Sequence, residues 1–226
     1  MVAGATIATH ERVWSSRIPQ GTLRDVVAPA PPLLPVFRSR LQGDLLAALL
    51  VVPGTELTLT AIAERTGGSL ATVQREVSRL EEAGLLRSRR IGNARLVSAD
   101  PASPATAPLT ELVTLSFGPV QVLAEEFAEV ADVDAVEVFG SWAARHRGER
   151  GGPPADVDVL VVGTPDRDVV HDAAARAEAR IGLPVNATVV APGRWETGSD
   201  GFVTRVRASP RVPVPRVRPG PASSRR

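Results

Sequence analysis

The sequence contains no cysteine and no lysine. Without thiols there is no disulfide, no cysteine-ligated zinc and no thiol nucleophile. The three histidines, His10, His146 and His171, are scattered and form no ligand cluster. No apolar run reaches the roughly 18 residues of a membrane span, and the start of the chain lacks the apolar core of a signal peptide. These absences lead to the expectation of a cytoplasmic protein with no membrane partner. What is present is enough for one or two domains: 226 residues can bury a core that needs neither disulfides nor a structural metal.

The net charge of +1 conceals an asymmetry. Residues 36–98 carry nine Arg against six acidic residues, residues 111–200 carry seven against sixteen, and residues 201–226 carry seven Arg and no acid. A basic segment therefore precedes an acidic domain, and a basic tail follows it. Residues 1–35 hold Pro19, Pro29, Pro31, Pro32 and Pro35 without sustained periodicity. They read as a disordered arm, with a short strand or arm at Ala5–Val13. Residues 209–226, rich in Arg and Pro, read as a disordered tail.

Between them the periodicity is helical first. Leu41, Leu45, Leu46, Leu49 and Leu50 recur at helical spacing within 36–52, and Pro53-Gly54 stops the run. Thr58 or Thr60 can cap a helix that carries Ile62 and Ala63 inward and ends at Gly67-Gly68. Ser69 caps a further helix, 70–83, with Leu70, Val73, Val77 and Leu80 inward and Gly84 at its end. Gly92-Asn93 is a two-residue hairpin turn between alternating, arginine-bearing strands. Two helices on a tight glycine turn form a helix-turn-helix, and the hairpin makes a wing. Thr60-Ala61-Ile62-Ala63, Gly67, Ser69, Gln74-Arg75-Glu76, Leu80 to Leu85 and the wing tip Gly92 to Arg95 resemble the winged helix-turn-helix of small bacterial regulators of the ArsR and MarR kind. The resemblance implies binding to double-stranded DNA and a homodimer. Ser69, Thr72, Gln74, Arg75, Ser78 and Arg79 offer donors to base edges in a major groove. Arg87, Arg89, Arg90 and Arg95 suit phosphate or minor-groove contacts from the wing. This first domain is read as 36–98, and 99–130 as a proline-containing linker followed by bridging helices.

The second domain, 131–208, centres on Ala135 to Val162. Ala135-Val136-Glu137-Val138-Phe139 is a strand by its β-branched and apolar content. Gly140-Ser141 opens a short helical run and lets backbone N–H groups and a hydroxyl approach a phosphate. After the loop 148–155, Asp156 and Asp158 sit two apart at the head of an apolar strand, so both carboxylates leave one face. Paired aspartates beside such a turn suit a hard cation and phosphate chemistry. A helix, 166–181, with Val169, Val170, Ala173, Ala174 and Ala177 inward, leads to a third strand, 184–190. Pro192 to Asp200 follows as a connector and Phe202 to Ala208 as an amphipathic helical segment.

Val138-Phe139-Gly140-Ser141, fourteen residues, then Asp156-Val157-Asp158 resembles the polymerase-β-like nucleotidyltransferases in their minimal form. The resemblance implies catalytic, Mg²⁺-binding Asp156 and Asp158, a phosphate site at Gly140 and Ser141, and a nucleoside triphosphate as ligand or substrate. It also implies a third carboxylate, where this chain has Asn186. An amide can still ligate a metal through its oxygen but cannot act as a base. The family's arginine after Gly-Ser is one place late, at Arg145, which remains the nucleotide-binding candidate. The overall expectation is an α+β chain: a winged helix-turn-helix followed by a small mixed sheet flanked by helices. Two functions fit it. One is a DNA-binding transcriptional regulator with a nucleotide-binding domain. The other is an active nucleotidyltransferase acting on a protein or small-molecule hydroxyl, of the antitoxin type with a partner toxin.

Overall fold

The computed structural model describes residues 36–198 and 200–215. The arm expected over 1–35, with its strand or arm at Ala5–Val13, and the expected tail beyond 215 lie outside the described residues.

Helix α1 (Arg40–Leu50) is shorter than the expected span 36–52 and starts at Arg40, because Ser39 is extended and its hydroxyl accepts from the Gln42 N–H. Its Leu45, Leu46, Leu49 and Leu50 are buried. Strand β1 (Leu57–Thr58) runs directly into α2 (Leu59–Thr66). Of the two candidate caps, Thr58 is the one used: its hydroxyl accepts from the Ala61 N–H at 3.1 Å. Gly67, at φ +66°, ends α2 in the left-handed conformation that glycine adopts without strain. Ser69 then caps α3 (Leu70–Glu82). Strands β2 (Leu86–Ile91) and β3 (Ala94–Ala99) flank the Gly92-Asn93 turn, and β1 completes a sheet of order β1-β3-β2. Leu70 departs from its expected burial and is 50% exposed. It lies on the stripe of Val73, Val77 and Leu80 but one turn before the core begins.

Residues 99–130 carry two helices, one packed in each core. Helix α4 (Thr106–Phe117) sends Val113 and Phe117 into the core of the winged helix. Helix α5 (Pro119–Glu126) sends Val122, Leu123 and the following Phe127 into a second core. Only Gly118 separates them, and a side chain there would strike the Thr114 carbonyl.

The second domain runs β4 (Val133–Phe139), α6 (Gly140–His146), β5 (Val157–Gly163), α7 (Arg167–Ile181), β6 (Val185–Val190), α8 (Pro192–Thr197), α9 (Gly201–Ala208) and β7 (Val212–Pro213). Its sheet has the order β6-β5-β4-β7. β5 and β6 are parallel, joined over one face by α7; β4 is antiparallel to both β5 and β7. β7 falls in the stretch expected to be a disordered tail. Two ladder residues, the buried Val214 and an Arg211–Glu137 ion pair hold it on β4. The stretch read as a connector contains α8.

Alternation divides the sheet. Val157, Val159 and Val161 of β5 pack with α5 and α7, while Leu160 and Val162 pack with Val203 and Val206 of α9. On α7 the buried stripe is Val170, Ala173, Ala174, Ala177 and Ile181. Val169, expected inward, is one residue off that stripe and 45% exposed.

Gly43 shows why α4 can lie against α1. A Cβ there would overlap the Phe117 ring, whose edge also meets Phe37 at a centroid distance of 5.0 Å. Gly43→Ala therefore overpacks the core even though alanine is the better helix former. The expected cost is about 1–3 kcal/mol, read as a lower urea midpoint at unchanged slope.

Candidate functional site

Two sets of polar side chains invite a functional reading: the outer face of α3 with the wing, and the carboxylates at the head of β5.

On α3, the buried stripe leaves Gln74, Arg75, Ser78 and Arg79 to line a shallow groove of about 610 Å³ together with Ala71 and Glu82. The other expected contacts are partly engaged. Ser69 caps the helix, and its hydroxyl lies 2.8 Å from that of Thr72. Arg75 donates to the Thr72 hydroxyl at 3.3 Å. Arg79 pairs with Glu76 at 2.9 Å, and Glu76 also accepts from Gln42 of α1 at 2.7 Å. Arg89 pairs with Glu56, and Arg95 pairs with Glu81, which also accepts from Ser88. Arg90 has no ion pair among the described residues and lies exposed beside the wing tip. Glu76, at 9% exposure, was not a candidate from sequence. Its place on the buried stripe is the signal that it fixes Arg79 rather than repels a ligand.

At the head of β5, the parallel register sets Asp158 opposite Asn186 of β6. The Asn186 amide N–H group donates to Asp156 at 3.0 Å and to Asp158 at 3.3 Å. Gly140 adjoins them at φ +71°, and a Cβ there would lie 2.5 Å from Asp158 Oδ2. Only glycine permits both that conformation and that approach. Burial pushes the Asp158 carboxyl above the ordinary aspartate value; the Asn186 N–H opposes the shift and the Asp156 charge adds to it. The structure thus brings together Gly140, Asp156, Asp158 and Asn186, with Ser141 exposed next to them.

Arg145 is not in this group. Its guanidinium donates to the Glu149 carbonyl, and a side chain at Gly151 would collide with it. Its Nε is buried without a hydrogen-bond partner. The loop 148–155 closes on its own arginine. The neighbouring Trp142 and His146 rings stack at 4.9 Å, and burial, then the Arg147 charge, lowers the His146 pKa.

Sequence reasoning also passed over a group on the Asp158 face of the sheet. Arg211 donates to Glu137 at 2.6 Å, and Arg207 and Arg211 lie 5.0 Å and 5.4 Å from the centre of the Trp195 ring. Arg211 belonged to the presumed tail, so nothing local linked it to the sheet.

The donors can be weighed against Mg²⁺. Asp156 and Asp158 supply hard oxygen ligands on one face, and Asn186 supplies one more if its amide turns its oxygen inward. Mg²⁺ is commonly held by one or two carboxylates plus phosphate oxygens and water, so the set fits a single ion shared with a phosphate. It does not make the three-carboxylate cluster of a two-ion site; among the described residues no three His, Cys, Asp or Glu are grouped to hold a metal. Nor, among those residues, is any helix long and apolar enough to cross a membrane.

Comparison with known proteins bears on the first domain. Residues 38–95 match the MarR family model. Among solved structures, a cysteine-to-serine mutant of Lactococcus lactis ZitR in complex with DNA is 19% identical, with a TM-score of 0.31 over 47% of this chain and 73% of that one. No curated protein matches the chain. The family match and the helix, turn, helix and hairpin described above cover the same stretch, and residues 38–95 form a MarR-like winged helix-turn-helix.

Proposed function

We propose that this chain is a DNA-binding transcriptional regulator whose second domain binds a nucleoside triphosphate with Mg²⁺. The observation that carries the proposal is the outer face of α3. Gln74, Arg75, Ser78 and Arg79 line one open groove on a helix held from behind by Val73, Val77 and Leu80. Arg suits guanine and Gln suits adenine in a major groove. Arg90, exposed beside the wing tip, would meet phosphate. Leu112 and Leu115 of α4, 46% and 59% exposed, are the surface offered to a second copy, which would give two readers for two half-sites.

The second domain is proposed as a minimal nucleotidyltransferase-like fold. Asp156 and Asp158, with Asn186 through its amide oxygen, would hold Mg²⁺; Gly140 and Ser141 would meet phosphate. Bound there, the ion neutralises triphosphate charge. Arg145 leaves the proposed site, since its own loop engages it. An active nucleotidyltransferase, with a protein hydroxyl such as that of a partner toxin as acceptor, is favoured by one observation, the convergence of two aspartates. Against it stands Asn186, whose amide donates to both aspartates and offers no base.

Each part has its own assay. Binding to DNA upstream of the chain's own coding sequence should fall steeply with salt. Arg75→Ala with Arg79→Ala should weaken it by about 1–3 kcal/mol per base-reading arginine. Unchanged affinity in that variant would remove α3 as the reader. In the second domain, calorimetric titration of Mg²⁺ nucleotides should show binding that disappears in Asp156→Asn with Asp158→Asn. Asn186→Asp should tighten Mg²⁺ and lower the melting temperature at neutral pH in its absence. A third carboxylate adds like charge to Asp158, whose folded pKa is already raised. The destabilisation is therefore full above that pKa and fades as pH falls through it, which thermal melts from pH 7 to pH 4 would display.

A further inference from the structure

A third cluster lies where the two domains meet. Helices α1 and α2 of the winged helix face α7 of the second domain across a cavity of about 280 Å³. Arg40, Asp44, Arg65, Thr66, Gly67 and Arg180 supply most of its wall, with Phe117 and Val122 at its apolar side. Most of the charges around it are matched. Arg40 pairs with Asp44 and with Glu125; Arg180 pairs with Glu125 and Glu126 at 2.7 Å each; Arg176 pairs with Glu126 at 2.8 Å. Three guanidinium groups thus share three carboxylates.

Arg65 is the one left over. It has no hydrogen bond or ion pair among the described residues. Its guanidinium sits against Gly182 at the end of α7, where a Cβ would lie 2.5 Å from it. Gly182 is left-handed, at φ +80°, so the chain ends α7 with no side chain at the one point where Arg65 must fit. Burial lowers the Arg65 pKa, and no neighbouring carboxylate offsets it. A partly buried cation without a counter-charge is costly, and here it lines a cavity large enough for its missing partner.

We propose that this cavity binds a small oxyanion, a phosphate or carboxylate group, through Arg65. Planar guanidinium donors match either group in a two-pronged hydrogen-bonded pair. The anion would sit between the glycine turn that precedes α3 and the end of α7. It would join the DNA reader to the second domain at a place separate from the aspartate site. The site needs neither DNA binding nor a nucleotide at Gly140 to be real.

The probes are inorganic phosphate and citrate, titrated calorimetrically into the full chain at fixed ionic strength set with chloride. Saturable one-site binding of at least one of them is expected. Arg65→Gln should weaken it about tenfold or more, the loss of one charge-assisted contact, and Arg65→Lys should weaken it less. In the wild-type protein the Gly67 and Gly182 amide resonances should shift during the same titration, a readout independent of how the variants fold. Phosphate without citrate binding would assign the site to phosphate groups, and the reverse to carboxylates. Absence of saturable binding by both would overturn the proposal. So would equal affinity in Arg65→Gln, or shifts confined to α3, the wing or the Gly140-Ser141 turn.

Discussion

Burial of β5 on both faces is the constraint from which the second domain follows. A strand covered on both sides must be apolar at nearly every position, and residues 159–162 are Val, Leu, Val, Val, all buried. Polar chemistry is then admissible only at the strand's ends. Asp156 and Asp158 occupy one such end, where the covering layers stop. The parallel pairing with β6 delivers Asn186 to the same height, and the left-handed Gly140 lets the carboxylate press against the incoming chain. The site is thus a by-product of where burial has to end.

In the winged helix the same logic runs through ion pairs. Arginine is the sole long cation in the chain, and its fork geometry ties acids in pairs. Glu76 takes Gln42 and Arg79, while Glu81 takes Ser88 and Arg95. Pairs of this kind near the surface, half-buried here, contribute little stability singly. Their effect is positional: they hold long side chains in place on the surface that α3 and the wing present.

Much of this was legible in the sequence, and the reason is locality. Ser69, Gly67, Gly84 and Gly92-Asn93 announce caps and turns through residues no more than a few places apart. The position of Asn186 came from the resemblance to nucleotidyltransferases, which implies a third carboxylate on the strand after the helix. What was not legible depends on distant partners. Arg211 meets Glu137 across 74 positions, and a two-residue strand ending in Pro213 carries no alternation to detect. Arg145 matched a motif position, yet its fate is set by the loop 148–155, whose closure on the guanidinium no periodicity encodes. Val169 and Leu70 show the complementary error: apolar residues near a stripe, but beside it or beyond its end.

The single residue between α4 and α5 has an architectural consequence. α4 is a wall of one core and α5 a wall of the other, so the boundary of the two folding units falls at Gly118 and not in the proline-rich segment before α4. A cut at residues 99–108 would strip Val113 and Phe117 from the first unit and leave the second carrying a foreign greasy helix. The chain is therefore less a pair of modules on a string than two rooms sharing a corner post. A fragment containing the reader on its own has to extend through Phe117 to keep that wall in place.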